Sequence, residues 1–155
     1  DQVVELVDQG VDTVRSSVSR VLEANVENLV LTGTAAISGE GNALANVLSG
    51  NAAANTLLGG DGNDIINGGA GTDILIGGNG NDLYTIDNVG DLVIEIAGGG
   101  SDTVQTSLNH VLSANVENLV LTGAGNRRGT GNALDNILSG NRGVNTLNGG
   151  AGNDT

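Results

Sequence analysis

From Gly41 to Val93 an apolar side chain returns at every ninth residue, at Leu48, Leu57, Ile66, Leu75, Tyr84 and Val93, each behind a turn rich in glycine, asparagine and aspartate. The pattern predicts a turn of six residues followed by a strand of three, whose central side chain points inward. Such a unit cannot bury its single inward side chain alone, so units must coil and stack, two to a coil. Residues 18 apart then lie on the same edge of neighbouring coils, separated by the inter-strand spacing of about 4.8 Å. Before this block the pattern is less regular. Val14, Ser16 and Val18 alternate like a half-buried strand, whereas Val18, Val21, Leu22, Val26 and Leu29 permit an amphipathic helix within Ser17–Val30. The alternation favours strands.

A longer period overlies the short one. "NVENLVLTG" occurs at Asn25–Gly33 and again at Asn115–Gly123, and "GNALANVLSGN" at Gly41 returns as "GNALDNILSGN" at Gly131, 90 residues on. Residues 1–90 therefore read as one repeat unit and 91–155 as a second, truncated unit of the same solenoid. The chain begins without Met and stops inside a motif, at "GGAGNDT", and is expected to be part of a longer protein.

The turns carry the candidate chemistry. Gly59–Asn67, Gly68–Ile76 and Gly77–Thr85 each read G-G-x-G-x-D-x-U-x (U apolar), with Asp64, Asp73 and Asp82 at the sixth place. Asn46, Asn55, Asn136 and Asn145 hold that place in the other units. Aspartates 18 apart, such as Asp64 and Asp82, would repel across adjacent coils unless something positive lay between them. Calcium–oxygen bonds of roughly 2.3–2.6 Å put opposed ligands about one coil spacing apart, whereas magnesium prefers shorter bonds and strict octahedra. Asparagine at the same place allows neutral stacking through amide hydrogen bonds. Asn-bearing units thus read as scaffold and Asp-bearing units as sites.

Composition narrows the partners. The 155 residues include 27 glycines and no proline, cysteine, methionine, phenylalanine or tryptophan, and one tyrosine. A thick aromatic core is excluded, and many turns needing positive φ are implied. With five arginines, no lysine and a net charge of −13, nucleic acid and anionic membrane surfaces are excluded as partners and a cation is favoured. Without cysteine, and with His110 alone, soft-metal ligation has no donors. No apolar run is long enough to span a bilayer and no signal peptide stands at the amino end.

The three consecutive nonapeptides resemble the repeats-in-toxin (RTX) family, and "DTVRSSVSRVLEANVENLVLTG" and "DNVGDLVIE" are similar to segments interspersed among such repeats in large secreted bacterial proteins. The resemblance implies an all-β fold, a right-handed parallel β-roll or β-solenoid with calcium between glycine-rich turns. It implies one ion held by the carbonyls of Gly60 and Gly62 with the Asp64 carboxylate, and from the next coil by the carbonyls of Gly77 and Asn79 with Asp82. A second site on the opposite edge would use Gly69, Gly71 and Asp73 with Asn88 and Asp91, although the turn Ile86–Asp91 has lost its glycine pair. Asn46 with Asp64 and Asn55 with Asp73 would be half sites, and Gly149–Asp154 would begin a further calcium patch. The resemblance further implies export by a one-step secretion machine, with folding outside the cell, where calcium is plentiful.

Other candidates weigh less. Asp87, Asp91 and Glu95 would suit carboxylate chemistry on a sugar, but no basic partner or aromatic platform accompanies them, so calcium ligation or a solvated edge is the better reading. His110 corresponds to Arg20 in the first unit and reads as a surface residue. Arg127 and Arg128, adjacent in a loop, indicate nothing specific. The expected function is a non-enzymatic, calcium-dependent structural, adhesive or matrix-forming segment, with end-to-end self-association through its open ends. The alternative is the accessory repeat region of a secreted protease, lipase or alginate epimerase.

Overall fold

A computed structural model of the chain describes residues 3–7 and 10–155. Among them there is no α-helix, and every strand pairing is parallel. The strands alternate between two faces of a solenoid of eight coils. The first coil carries β1 (Thr13–Ser16) and β2 (Arg20–Val21), the second β3 (Asn28–Leu31) and β4 (Ser38–Glu40), and the third β5 (Val47–Ser49) and β6 (Thr56–Asp61). The fourth carries β7 (Ile65–Asn67) and β8 (Ile74–Asn79), the fifth β9 (Leu83–Ile86) and β10 (Leu92–Ile94), and the sixth β11 (Thr103–Thr106) and β12 (His110–Val111). The last two carry β13 (Asn118–Leu121) with β14 (Arg128–Thr130), and β15 (Ile137–Ser139) with β16 (Thr146–Asn148). Odd-numbered strands form one unbroken eight-stranded sheet, whereas the opposite face is divided between β10 and β12 into sheets of five and three strands. Within Ser17–Val30, where the pattern also permitted a helix, the chain forms β2 and the start of β3, so the alternation was the better guide.

Register explains both sequence periods. Successive strands of the long sheet are offset by 15, 19, 18, 18 and 20 residues, which makes the 90-residue repeat five coils; the offsets then begin again at 15 and 19. The regular nine-residue pattern runs through the coils of 18 in the first unit and resumes at Gly131, where β14 and β16 are again offset by 18.

The interior is a pair of facing ladders. Leu29, Leu48, Ile66, Tyr84, Val104 and Leu119 stack along the long sheet, and Leu57, Leu75 and Val93 along the other, all buried. Each such burial is worth about 1.5–3 kcal/mol against an exposed reference. Where a coil is narrow, the inward position is glycine: a methyl on Gly39 would press against Leu29 and Leu57, and one on Gly129 against Leu119 and Leu147. His110 pairs in register with Gly129 and so occupies an inward-facing place. It is half-buried, with Nε2 enclosed and without a partner, rather than a surface residue.

Candidate metal centre

The turn geometry separates the two kinds of unit. In an asparagine coil the sixth-place amide satisfies itself. Asn46 Oδ1 accepts the N–H of Asn42 at 2.7 Å, while Nδ2 donates to the carbonyls of Val26 and Glu27 on the preceding coil. Asn136 repeats this with Asn132, Val116 and Glu117. The second-place asparagines, Asn42 and Asn132, close the turn in place of glycine, each bridging two carbonyls of the coil before.

A carboxylate cannot donate, so the aspartate coils bond differently. Asp64 Oδ1 accepts the N–H of Asn46 on the preceding coil at 2.7 Å, Asp73 Oδ1 that of Asn55 at 2.7 Å, and Asp82 Oδ1 that of Asp64 at 2.7 Å. This leaves Oδ2 of Asp64, Asp73 and Asp82 buried with no hydrogen-bond partner. Burial, reinforced by the neighbouring charges of Asp82, Asp61 and Glu95 and opposed by the Asn46 N–H, pushes the Asp64 carboxyl up to about 7. Asp73 and Asp82 are raised for the same first reason. Three buried, unpartnered oxygens whose burial disfavours the bare charge are oxygens that a cation would satisfy.

Glycine opens the space for one. Asp64 Oδ2 and the Gly77 carbonyl flank the point where a side chain on Gly59 would begin, and Asp73 Oδ2 crowds the same point on Gly68. Among the expected ligands, Asp64 and the Gly77 carbonyl are thus brought together. The carbonyls of Gly60 and Gly62 project toward the next coil, at Gly78 and Gly80, whose positive φ values of 109° and 127° present the chain with no Cβ in the way. The Asn79 carbonyl accepts the Gly62 N–H at 2.8 Å and so also serves the ladder between β6 and β8.

On the opposite edge, Gly69 and Gly71 keep positive φ, and Asp73 N–H donates to Asp91 Oδ1 at 3.0 Å. Asp91 Oδ2, however, accepts the N–H groups of Asp87 and Asn88, and the Asn88 side chain accepts the Gly90 N–H. Both Asp91 oxygens are therefore already served, and Asp73 Oδ2 alone stays without a partner. Back on the Asp64 edge, in the last coil, Asp154 Oδ1 accepts the Asn136 N–H at 3.0 Å, as Asp64 Oδ1 accepts that of Asn46.

The donor set fits a hard cation: carboxylates and glycine carbonyls, buried, with unmet acceptor capacity. Residues 49–84 and 130–155 match the family profile described as RTX calcium-binding nonapeptide repeat, in four copies. These stretches are RTX calcium-binding repeats. Over 53 residues, 34% of this chain, the sequence is also 47% identical to a protein named endo-1,3-1,4-beta-glycanase ExsH, from Rhizobium meliloti (strain 1021). The shared region spans 11% of that protein's length. No solved structure matches the chain.

Asp102 escaped the sequence reading, and Glu95 was read as part of a different group. Asp102 and Glu95 are buried beside Asp82, with one oxygen of each of the three within 4.8 Å of the others. Asp102 Oδ1 accepts the Asp82 N–H at 2.9 Å, continuing the column through the coil of 20 residues. The nine-residue frame hides it, because the longer coil moves it two places out of phase. Glu95, weighed at first with Asp87 and Asp91, instead turns inward to accept the Tyr84 hydroxyl.

Proposed function

We propose that this chain is a calcium-triggered folding and spacer segment of an exported bacterial protein, working outside the cell or at its surface as a structural, adhesive or matrix-forming repeat. The observation that carries the reading is the set of orphaned Oδ2 atoms on Asp64, Asp73 and Asp82, set against the self-satisfied amides of Asn46 and Asn136. Without an ion the aspartate coils bury unmet acceptors in a chain of net charge −13, a combination that opposes folding. With an ion the binding free energy becomes folding free energy. One site would draw on Gly60, Gly62, Asp64, Gly77, Asn79 and Asp82. The opposite edge would draw on Gly69, Gly71 and Asp73, with Asn88 and Asp91 contributing less because Asp91 is already committed to backbone N–H groups. Scarce calcium inside the cell would keep the chain unfolded for passage, and abundant calcium outside would fold it.

A second reading is supported by the glycanase relative: the segment would be the accessory repeat region of a secreted enzyme. Both readings give these residues the same task. Circular dichroism during calcium titration tests it, with magnesium as control. The expected result is a cooperative gain of β-signal with calcium at concentrations where magnesium gives little; identical spectra with and without calcium would refute the folding trigger.

A further inference from the structure

The second repeat unit departs from the first where the five-stranded and three-stranded sheets part. Between β10 and β12 the wall of the solenoid opens into a cleft of about 710 Å³, bordered by Asn88, Asn109, His110, Ser113, Arg128 and Thr130. We propose that this cleft binds a carboxylated sugar of the uronate type, with the Arg128 guanidinium as the partner of its carboxylate.

Comparison of the two units carries the charge argument. Ninety residues before His110, Ser113, Arg128 and Thr130 stand Arg20, Glu23, Ser38 and Glu40. In the first unit Arg20 is paired with Glu23 at 2.5 Å, and Glu40 lies beside Val21 on the neighbouring strand. The second unit loses both acids and gains a cation: Thr130 takes the place of Glu40 beside Val111, and Arg128 that of Ser38. Arg127 and Arg142 replace Ile37 and Ala52 on the adjoining edge, where the Asn141 side chain ties the last two turns together through the Thr122 and Gly125 carbonyls. Among the described residues no carboxylate pairs with Arg127, Arg128 or Arg142. Asp91, the acid that borders the cleft, already accepts the N–H groups of Asp73, Asp87 and Asn88.

The remaining walls suit a sugar ring. Asn88 and Asn109 use their side-chain oxygens on the N–H groups of Gly90 and Arg128, which leaves both amide nitrogens to donate. The Ser113 and Thr130 side chains stand alongside, and His110 Nε2 is enclosed with no partner. Leu92 and Val111, 48% and 64% exposed, offer aliphatic surface to the C–H face of a ring. A guanidinium binds a carboxylate through two parallel hydrogen bonds, while amides and hydroxyls serve the ring's own hydroxyl groups. Nucleic acid fits less well, since no phenylalanine, tyrosine or tryptophan borders the cleft to stack a base. The net charge of −13 does not bar a short anion, because charges farther than about 8 Å are largely screened at physiological salt.

Calorimetry of the intact chain in calcium tests the assignment, with trigalacturonate as probe and maltotriose and inorganic phosphate as controls. The main variant combines Arg128→Ser with Thr130→Glu, which restores the residues that the first unit carries at these places. Arg15→Gln, on the long sheet, is the charge control. Trigalacturonate should bind saturably to the parent, about 10–100-fold more weakly to the double variant for the loss of a charge-assisted pair, and unchanged to Arg15→Gln. Equal binding of maltotriose, or binding of phosphate in place of trigalacturonate, overturns the proposal; these arms use the parent alone and decide even if the double variant does not fold. A folded double variant that keeps its affinity also overturns it, by placing the sugar on calcium at the acidic turns. The inference stands apart from the folding trigger, since a chain that folds without calcium can be titrated in chelator with the same outcomes.

Discussion

At the residue scale the difference between site and scaffold is one functional group. Asn46 and Asp64 occupy equivalent places on successive coils of one edge, yet the amide donates to the coil behind while the carboxylate only accepts from it. Exchanging NH₂ for O⁻ turns a closed network into one with an unmet acceptor. A proton can satisfy that acceptor as well as a metal ion can. Asp64 and Asp102 are both pushed up to about 7, by burial first and by neighbouring carboxylates second, against about 3.9 for an unfolded aspartate. Between those values the metal-free fold holds protons that the unfolded chain has released. The stability these two carboxyls contribute is therefore fully present below the unfolded value and is lost as pH rises through about 7. In a chelator, the denaturation midpoint should be higher at a pH of about 5 than at about 8. In calcium the order should reverse, because the ion must displace those protons. A chelated protein that gains stability on going from the lower to the higher pH would show that the carboxyls stay ionised without metal.

At the scale of the coil, the period was legible because three constraints coincide in nine residues: one inward apolar side chain, one acid or amide at the edge, and glycines where neighbouring backbones nearly touch. The ladder Leu48, Ile66, Tyr84 and its partner Leu57, Leu75, Val93 could be read directly, as could the placement of Asp64, Asp73 and Asp82. Asp102, Glu95 and His110 could not. Coils of 15, 19 and 20 residues break the phase that reveals an inward or edge position, and only pairing in three dimensions restores it. His110 shares the face of inward-facing Gly129, its register partner 19 places away. The second commitments of the Asn79 carbonyl and of Asp91 were hidden for a similar reason, since a ligand pattern does not say which backbone N–H groups already claim its oxygens. Glycine's role at the turns gives the sharpest test of the packing. Gly80 has a φ of 127°, and a methyl there would collide with the Gly62 carbonyl of the coil before. Gly80→Ala should destabilise the calcium-loaded fold by about 1–3 kcal/mol from backbone strain alone, with the collision adding to it. Asp61→Ala, at an exposed position of the same face, should cost far less. Denaturation midpoints in saturating calcium compare the two, and equal midpoints would mean that the turns are not held as closely as the structure places them.

At the scale of the whole molecule, the five-coil unit makes stability a matter of neighbours. Each coil is held by the coil on either side, so the two outermost lack half their support. The first coil leaves a cleft of about 530 Å³ bordered by Val3, Val14, Val18 and Val26. The last leaves Val144 77%, Ile137 54% and Leu147 42% exposed. Both ends also present unpaired strand edges, which are templates for further pairing. Charge works against this: at a net charge of −13 two copies repel, most strongly at low salt. On the proposed folding trigger, calcium orders the ends and reduces that charge, so association end to end should require it. Sedimentation velocity should show monomers in chelator and larger, elongated species in calcium at high protein concentration. Leu147 is paired in register with inward-facing Gly129, so Leu147→Asp places a charge on the terminal ladder without entering the inner coils. That variant should keep the calcium-induced β-signal and lose the larger species. Monomers alone from the parent chain at high concentration in calcium would mean that the open ends are protected without a partner; an unchanged size distribution in Leu147→Asp would move the contact away from the ladder.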